Sequence, residues 1–172
     1  MSGGDPQVFG MAGLVLDLIA RRGLELDVEV VPGVTAALAA AARLGSPLSL
    51  DFAVISLSDR LIPAGEILHR VARAAEADFV LALYNPINRD LLVEAMGVIS
   101  RYRRGDTPVG IVRNAYRDGE WVVITTLSSW GEYVDEVDMS TTIIVGNSST
   151  YRYGKYMITP RGYERKYGLW LR

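Results

Sequence analysis

The spacing of apolar and polar positions along the chain predicts alternating helices and strands. Residues 79–84 are apolar without interruption, which is typical of a parallel strand covered on both faces. Predicted helices span 6–22, 35–44, 63–76 and 88–104, and predicted strands span 28–31, 53–57, 79–84, 109–113, 121–125, 141–145 and 155–158. The turn signal at Asp118-Gly119 predicts that the strands on either side of it pair antiparallel. This order of elements indicates an α/β fold with a mixed sheet.

The first predicted helix follows a glycine pair rather than a strand. Asp5 suits the N-cap and Pro6 the first helical position, so we expect the helix to begin there. Helices entered through a Gly-rich loop usually follow a strand, so the chain reads as if it begins inside a domain. Ser46-Pro47 is the predicted boundary between a first lobe, residues 1–47, and a second lobe, residues 48–172.

The composition narrows the chemistry available to the chain. The 18 Lys and Arg residues against 20 Asp and Glu give a formal net charge of −2, so no overall positive field attracts nucleic acid or anionic lipid. The chain has no cysteine and one histidine, which excludes disulfides, thiolate catalysis and a thiolate or multi-histidine metal site. No apolar stretch reaches the ~18 residues of a membrane span, and no basic leader is visible. We therefore expect a cytoplasmic protein without a metal or a membrane anchor.

Glycines and polar residues recur in loops that enter helices or leave strands. These loops contain Gly3-Gly4-Asp5, Gly33-Val34-Thr35, Tyr84-Asn85 and Arg113-Asn114. Ligands of open α/β sheets bind at the carboxyl ends of strands, so the repetition favours one shared cleft. Each segment also has a simpler interpretation: a capped turn at Asp5, a helix N-cap at Thr35, and ordinary loop polarity at the others.

Taken in order and spacing, these segments resemble the tetrapyrrole methylases, the S-adenosylmethionine-dependent enzymes of corrin and sirohaem synthesis. The resemblance covers the whole chain, and within the family it is to the precorrin-3B or cobalt-precorrin-3 C(17)-methyltransferase branch. The segments that carry it are Ser2-Gly3-Gly4-Asp5-Pro6, Pro32-Gly33-Val34-Thr35-Ala36, Ile55-Ser56-Leu57-Ser58-Asp59, Ala82-Leu83-Tyr84-Asn85-Pro86, Val112-Arg113-Asn114-Ala115, Val145-Gly146-Asn147-Ser148 and Thr159-Pro160-Arg161-Gly162-Tyr163-Glu164.

The resemblance implies a two-lobed α/β enzyme with a mixed-sheet second lobe and a truncated first lobe. Family members carry a further N-terminal strand and Gly-Pro-rich loop ahead of Gly3, so we expect either that the reading frame is truncated or that a separate polypeptide supplies that part. The family is typically homodimeric. The methyl donor, S-adenosylmethionine, would leave as S-adenosylhomocysteine, and the implied cofactor-binding residues are Gly3, Gly4, Asp5, Thr35, Ala36, Tyr84 and Ala115.

The polar groups at the strand ends are the candidates for substrate contact. We predict Asp59 and Arg113 as the catalytic residues, which orient the tetrapyrrole. The predicted substrate-binding residues are Ser58, Arg60, Asn85, Asn114 and Arg117. Arginine suits this substrate because its guanidinium pairs bidentately with carboxylates.

Methyl transfer from a sulfonium needs alignment and exclusion of water more than a strong acid or base, so a chain without cysteine suits it.

A second hypothesis is a non-catalytic subunit or fragment that binds cofactor or tetrapyrrole only with a partner chain. A third hypothesis is a related methylase that acts on diphthamide or ribosomal RNA. The chain has no excess of basic residues, and this fact and the 55–59 segment disfavour that hypothesis.

Overall fold

The computed structural model describes residues 3–168, in which helices and strands alternate through most of the chain. The α-helices are α1 (Ala12–Arg22), α2 (Ala36–Leu44), α3 (Ala64–Glu76), α4 (Arg89–Ile99) and α5 (Tyr163–Tyr167), with a 3₁₀ helix at Trp130–Glu136. The strands are β1 (Gly45–Ser46), β2 (Phe52–Ser56), β3 (Val80–Tyr84), β4 (Pro108–Arg113), β5 (Trp121–Thr126), β6 (Thr141–Val145), β7 (Tyr151–Tyr153) and β8 (Tyr156–Ile158). No helix in this part of the chain is long and apolar enough to cross a membrane.

The main sheet is mixed, as predicted, and has the strand order β2-β3-β6-β4-β5. Strands β2 and β3 are parallel, and β6 is antiparallel to both of its neighbours, β3 and β4. The β4–β5 pair is the predicted antiparallel hairpin. Because β2, β3 and β4 therefore run in the same direction, their carboxyl ends lie at one edge of the sheet, which we call the carboxyl edge.

Helices cover both faces of this sheet. Every residue of β3 and β6 is buried, which explains the uninterrupted apolar character of β3. On one face α3 and α4 pack against alternate strand residues, including Leu81 and Ile143. On the other face the alanine-rich helix α2 packs against Ala82 and Ile144. The small side chains of α2 allow a close approach, so that the main sheet forms a central layer between helices.

A second, smaller sheet has the order β1-β8-β7. Gly45 and Ser46 of β1 pair in parallel with Met157 and Ile158 of β8. The sequence pattern predicted β8 but neither β1 nor β7. Strand β1 has only two residues, which is too short to show a period, and β7 is exposed along its whole length. Strand β1 ends directly before Pro47, where the predicted boundary between the lobes lies.

The structure differs from the predicted beginning of the first helix. Residues 6–11 form a turn instead of a helix, because Phe9 has a left-handed backbone with φ of 52° and a helix cannot pass through it. The carbonyl of Pro6 accepts the backbone N–H of Ala12 at 3.0 Å, where α1 begins. The prediction of Asp5 as N-cap and Pro6 as first helical residue was therefore wrong. Ser2, in the same predicted loop, lies outside the described residues.

Two other predicted elements also differ. Residues 28–31 form no strand, because within residues 3–168 no strand pairs with them. The helix predicted over 88–104 ends at Ile99, where Ser100 caps it. It ends there because the chain turns to bury the Arg103 guanidinium against backbone carbonyls. The start was predicted well: Asn88 is the N-cap, and its side chain accepts the N–H of Leu91 at 3.1 Å.

Candidate functional site

The loop at residues 3–6 lies directly against the loop that enters α2. The Asp5 carboxylate accepts the backbone N–H of Gly33 at 3.0 Å, and those of Gln7 at 2.8 Å and Val8 at 3.2 Å. These hydrogen bonds, led by the one from Gly33, lower the pKa of Asp5 below its ordinary value. A Cβ at position 33 would overlap the carbonyl oxygen of Gly4, so the close approach requires glycine there. Asp5 thus holds two backbone loops together.

Tyr84, the last residue of β3, connects the carboxyl edge to the start of α2. It is only 8% exposed. Its hydroxyl oxygen accepts the backbone N–H of Ala37 and lies 2.7 Å from Thr35 Oγ1. Thr35 is the N-cap residue of α2, but its own side chain makes no capping hydrogen bond, so Tyr84 caps the helix from another element. Burial raises the pKa of the Tyr84 phenol, although both hydrogen bonds act in the opposite direction.

A cavity of about 350 Å³, which we call the first cavity, opens between these loops and the carboxyl edge. All seven predicted cofactor-binding residues line it: Gly3, Gly4, Asp5, Thr35, Ala36, Tyr84 and Ala115. The cavity is also lined by residues that were not predicted for the site, among them Val8, Val112, Ser140 and Thr142. Ser140 and Thr142 flank the start of β6, which lies between β3 and β4 only because of the sheet order. No sequence motif shows that order.

The first cavity offers backbone groups and hydroxyls on apolar walls. The glycines expose peptide groups, Thr35 and Thr142 supply hydroxyls, and Val8 and Val112 supply apolar surface. Its acidic side chain, Asp5, already accepts three backbone N–H groups and is therefore poorly placed to act as a base. Such a cavity suits a ligand with a flat apolar part and several hydroxyl or amino groups. It provides alignment rather than proton transfer.

A second cavity, of about 210 Å³, lies where β2 and β3 end. It brings together four residues predicted for substrate chemistry: Ser58, Asp59, Arg60 and Asn85. Asn88 holds Asp59 in place by donating to its carboxylate at 2.9 Å. Asn85 has a positive φ of 53° and donates its side-chain amide to Ser56 Oγ at 2.9 Å, so its orientation is fixed by the neighbouring strand.

A third cavity, of about 400 Å³, shares Ser58 and Asn85 with the second. Its other lining residues include Phe9 and Arg70, which the sequence did not suggest for the site. Nothing in the sequence singles out Arg70 as a site residue, because an arginine on the polar side of an amphipathic helix looks like an ordinary surface residue.

The structure does not bring the remaining predicted residues to these substrate cavities. Arg113 lies over the Trp121 ring at 5.7 Å and pairs with Glu136 at 3.4 Å, so it faces the end of the 3₁₀ helix rather than Asp59. Asn114 accepts from Arg117 at 3.3 Å, and Arg117 lines the first cavity. The predicted roles of Asp59 and Arg113 stay predictions, although Arg113 does not line the cavity that holds Asp59. The reason is that β6 separates the ends of β3 and β4.

The fold, the sheet order and the loops around the first cavity define a class of protein. The chain belongs to the tetrapyrrole (corrin/porphyrin) methylases, whose family profile matches residues 1–130. Among its relatives is the cobalt-factor III methyltransferase of Priestia megaterium, which is 47% identical over 98% of this chain and 32% of the relative. The probable cobalt-factor III C(17)-methyltransferase of Salmonella typhimurium is 45% identical over 95% of this chain and 68% of the relative.

Solved structures agree with this membership. The crystal structure of the methyltransferase CobJ has a TM-score of 0.84 and 31% identity, over 91% of this chain and 67% of that one. The uroporphyrin-III C-methyltransferase of Thermus thermophilus, complexed with S-adenosylhomocysteine, has a TM-score of 0.63 and 27% identity, over 83% of this chain and 62% of that one. The chain spans about a third of the length of the first two curated relatives that it matches, at 32% and 37%.

Proposed function

We propose that the chain carries out S-adenosylmethionine-dependent methylation at C-17 of precorrin-3B or cobalt-precorrin-3, with ring contraction, in cobalamin biosynthesis. The observation that carries the proposal is the single cavity lined by all seven residues for which the family resemblance implies cofactor contact. Relatives with 45% and 41% identity are named for methylation at C-17. We place this activity in the cytoplasm.

The residues of the first cavity fit this methyl donor. When bound, S-adenosylmethionine supplies an activated methyl carbon that needs no acid or base to leave its sulfur. Gly3 and Gly4 present backbone groups to the ligand at close range, and Thr35 offers a hydroxyl at the start of α2. Asp5 acts indirectly, because it fixes the spacing between the two loops through Gly33. Tyr84 forms part of the wall and contacts Phe9, which lines the third cavity.

The substrate-binding roles follow from the second cavity. We propose that Asp59 orients the tetrapyrrole, with Ser58 and Asn85 beside it and the Arg60 guanidinium pairing with a peripheral carboxylate. For Arg113, Asn114 and Arg117 the predicted roles remain predictions, and the position of Arg117 favours contact at the first cavity.

A second candidate function is supported by the surface of α1 and the segment that follows it. No residue of α1 is buried, and Leu26, Val31 and Val34 are each more than half exposed. Apolar surface of this extent is typical of a face that another polypeptide covers. We propose a homodimer; the alternative is a chain that binds cofactor or tetrapyrrole only together with a separate partner chain. Analytical ultracentrifugation distinguishes a monomer from a dimer at micromolar concentration.

Calorimetry with S-adenosylhomocysteine tests the main proposal on the 172-residue chain. We expect binding that Asp5→Ala weakens about tenfold, because the loops at Gly4 and Gly33 lose their connection. Asp51→Ala is the matched control, since Asp51 is an exposed carboxylate at the opposite end of β2. Binding that is unaffected by changes at Asp5, Tyr84 and Ala115 would show that the ligand lies elsewhere. If the chain does not bind S-adenosylhomocysteine even when a partner polypeptide covers α1 and the segment that follows it, the main proposal is wrong.

A further inference from the structure

Phe9 has a backbone conformation that is unusual for a large side chain. Its φ of 52° lies in the left-handed region, which bulky residues rarely adopt and which functional sites retain when the surroundings enforce it. The turn is enforced from both sides. A Cβ at position 10 would overlap the Pro6 carbonyl, so Gly10 is required there, and Pro6 accepts the N–H of Ala12. Phe9 is left more than half exposed at this turn.

The Phe9 ring contacts Tyr84 and is not buried. It lies 5.4 Å from the Tyr84 ring, tilted by 58°, and 54% of the residue is exposed. Tyr84 lines the first cavity and Phe9 lines the third. The aromatic pair is therefore the partition between the proposed cofactor cavity and the third cavity. Because methyl transfer needs the acceptor carbon in direct contact with the donor's methyl group, a substrate in the third cavity has to reach past the edge of this pair into the first cavity.

The third cavity has the chemistry of a site for an acidic, flat, apolar molecule. Its walls include Val54, Ile55 and Ile67, and Arg70 is the cation among its lining residues. At the same cavity, Leu61 is 95% exposed, so a large apolar side chain is left almost wholly without a protein neighbour. An apolar macrocycle would cover Leu61 and the open face of Phe9 together, and its carboxylates would complement Arg70.

Arg70 is free to change partner at little cost. Its present partner is Glu66, one helical turn away at 3.4 Å, and both side chains are about half exposed. Such a surface ion pair contributes little to stability, so a carboxylate of the ligand can replace it.

We propose that Phe9 and Arg70 position the tetrapyrrole: the Phe9 ring stacks on a face of the macrocycle, and Arg70 pairs with one of its peripheral carboxylates. This inference rests on the proposed function, because it takes the tetrapyrrole as the occupant. It adds a substrate-positioning role for two residues outside the cofactor cavity, and it gives the strained turn at residues 6–10 a purpose.

Uroporphyrin III, a stable tetrapyrrole with many carboxylates, is the probe, and its binding is followed by the shift of its main absorption band. We expect Phe9→Leu to weaken its binding about tenfold and Phe9→Trp to preserve it, because stacking needs an aromatic face. Phe52→Leu is the matched control, since Phe52 is a half-exposed phenylalanine at the opposite end of β2. The same proteins are titrated with S-adenosylhomocysteine, whose affinity should not change.

For the charged contact we expect Arg70→Gln to weaken uroporphyrin III binding about fivefold and to make it less sensitive to salt. Arg73→Gln is the control on the same helix, since Arg73 is exposed and pairs with Glu76. Circular dichroism and urea unfolding check that every variant folds. A variant at position 9 that fails to fold is replaced by Phe9→Tyr and Phe9→Met, which pose the same question about the aromatic face.

The two proposals fail in different ways. If the unaltered protein does not bind S-adenosylhomocysteine, that result counts against the proposed function. The uroporphyrin III titration then still tests the contacts of Phe9 and Arg70. Normal S-adenosylhomocysteine binding with uroporphyrin III affinity equal in Phe9→Leu and Phe52→Leu overturns the inference. It is also overturned if Phe9→Leu lowers both affinities equally, since Phe9 would then act through Tyr84 alone.

Discussion

The Tyr84 hydroxyl lies 2.7 Å from Thr35 Oγ1, although the two residues are 49 positions apart in the sequence. The same hydroxyl accepts the N–H of Ala37, so the end of β3 provides the cap of α2. This arrangement couples the sheet to the helix at the wall of the first cavity. The Tyr84 hydroxyl oxygen accepts the N–H of Ala37, so its O–H group can donate to Thr35 Oγ1. The Thr35 hydroxyl can then donate its own hydrogen to a ligand.

Removal of the Tyr84 hydroxyl should measure the strength of this coupling. Tyr84→Phe keeps the ring that packs on Phe9 but leaves the Ala37 N–H without its acceptor, so we expect the free energy of unfolding to fall by about 1–2 kcal/mol. Urea denaturation measures the change. Tyr153→Phe is the control, because Tyr153 is largely exposed and should change stability by less than about 0.5 kcal/mol. Equal effects of the two substitutions would argue against the capping role.

The Asp5 carboxylate gives the loop contact a defined pH dependence. Hydrogen bonds from Gly33 and Gln7 lower its pKa from the ordinary 3.8, so the folded protein holds the ionised form more strongly than the unfolded chain does. The contribution is therefore complete above the unfolded pKa and is lost as the pH falls through the lower, folded pKa. Carboxyl carbon shifts in NMR spectra should show Asp5 titrating below the ordinary value of 3.8.

The same titration predicts how ligand affinity responds to acid. As Asp5 is protonated, the loops at residues 3–6 and 32–34 separate, and S-adenosylhomocysteine binding should weaken over the same pH interval. In Asp5→Asn this acid step should be absent, because the amide does not titrate and its NH₂ group cannot accept from Gly33. An acid step that persists unchanged in Asp5→Asn would assign it to another group.

The sequence pattern predicted the elements whose burial is regular and missed those that depend on tertiary contacts. Strand β3 was predicted because both of its faces are covered, and Thr35 was predicted as an N-cap because its residue type favours that position. The family motifs implied seven cofactor-binding residues, and in the structure all seven line the first cavity. Thr142 was missed because β6 inserts between β3 and β4, and Phe9 was missed because a left-handed phenylalanine has no sequence signal.

The close contact between α2 and β4 depends on the absence of a side chain at Gly110. A Cβ there would overlap the side chain of Leu44, which is fully buried, so Gly110→Ala should destabilise the protein by about 1–3 kcal/mol. Gly97→Ala is the matched control: this glycine is exposed within α4 with open space around it, so the substitution should stabilise by about 0.5–1 kcal/mol.

A double-mutant cycle gives the Gly110 prediction a sharper form. Leu44→Ala alone creates a cavity, but in combination with Gly110→Ala it makes room for the new methyl group, so the combined loss should be smaller than the sum of the two single losses. Urea unfolding of the four proteins provides the coupling energy. Additive losses would mean that α2 moves away from β4 as a unit rather than colliding at Leu44.

Arg103 fixes the chain reversal after α4, and its replacement should be costly. Its side chain is 2% exposed, and its guanidinium donates to the carbonyls of Ala75, Phe79 and Gly146 and pairs with Asp78 at 3.1 Å. Burial lowers the pKa of this arginine, and Asp78 opposes that shift. A lysine carries the same charge but cannot reach these partners in several directions at once, so Arg103→Lys should lower the free energy of unfolding by about 2 kcal/mol or more.

The control for this prediction is Arg101→Lys, two residues earlier in the same connection, where the side chain is exposed and the change should be within about 0.5 kcal/mol. Hydrogen exchange adds spatial detail. Because the carbonyl partners of Arg103 belong to α3, to the start of β3 and to the loop after β6, Arg103→Lys should increase exchange at all of these places together. Increased exchange confined to residues 100–107 would mean that Arg103 stabilises only its own loop, and that α3 and β6 are held together by the apolar core alone.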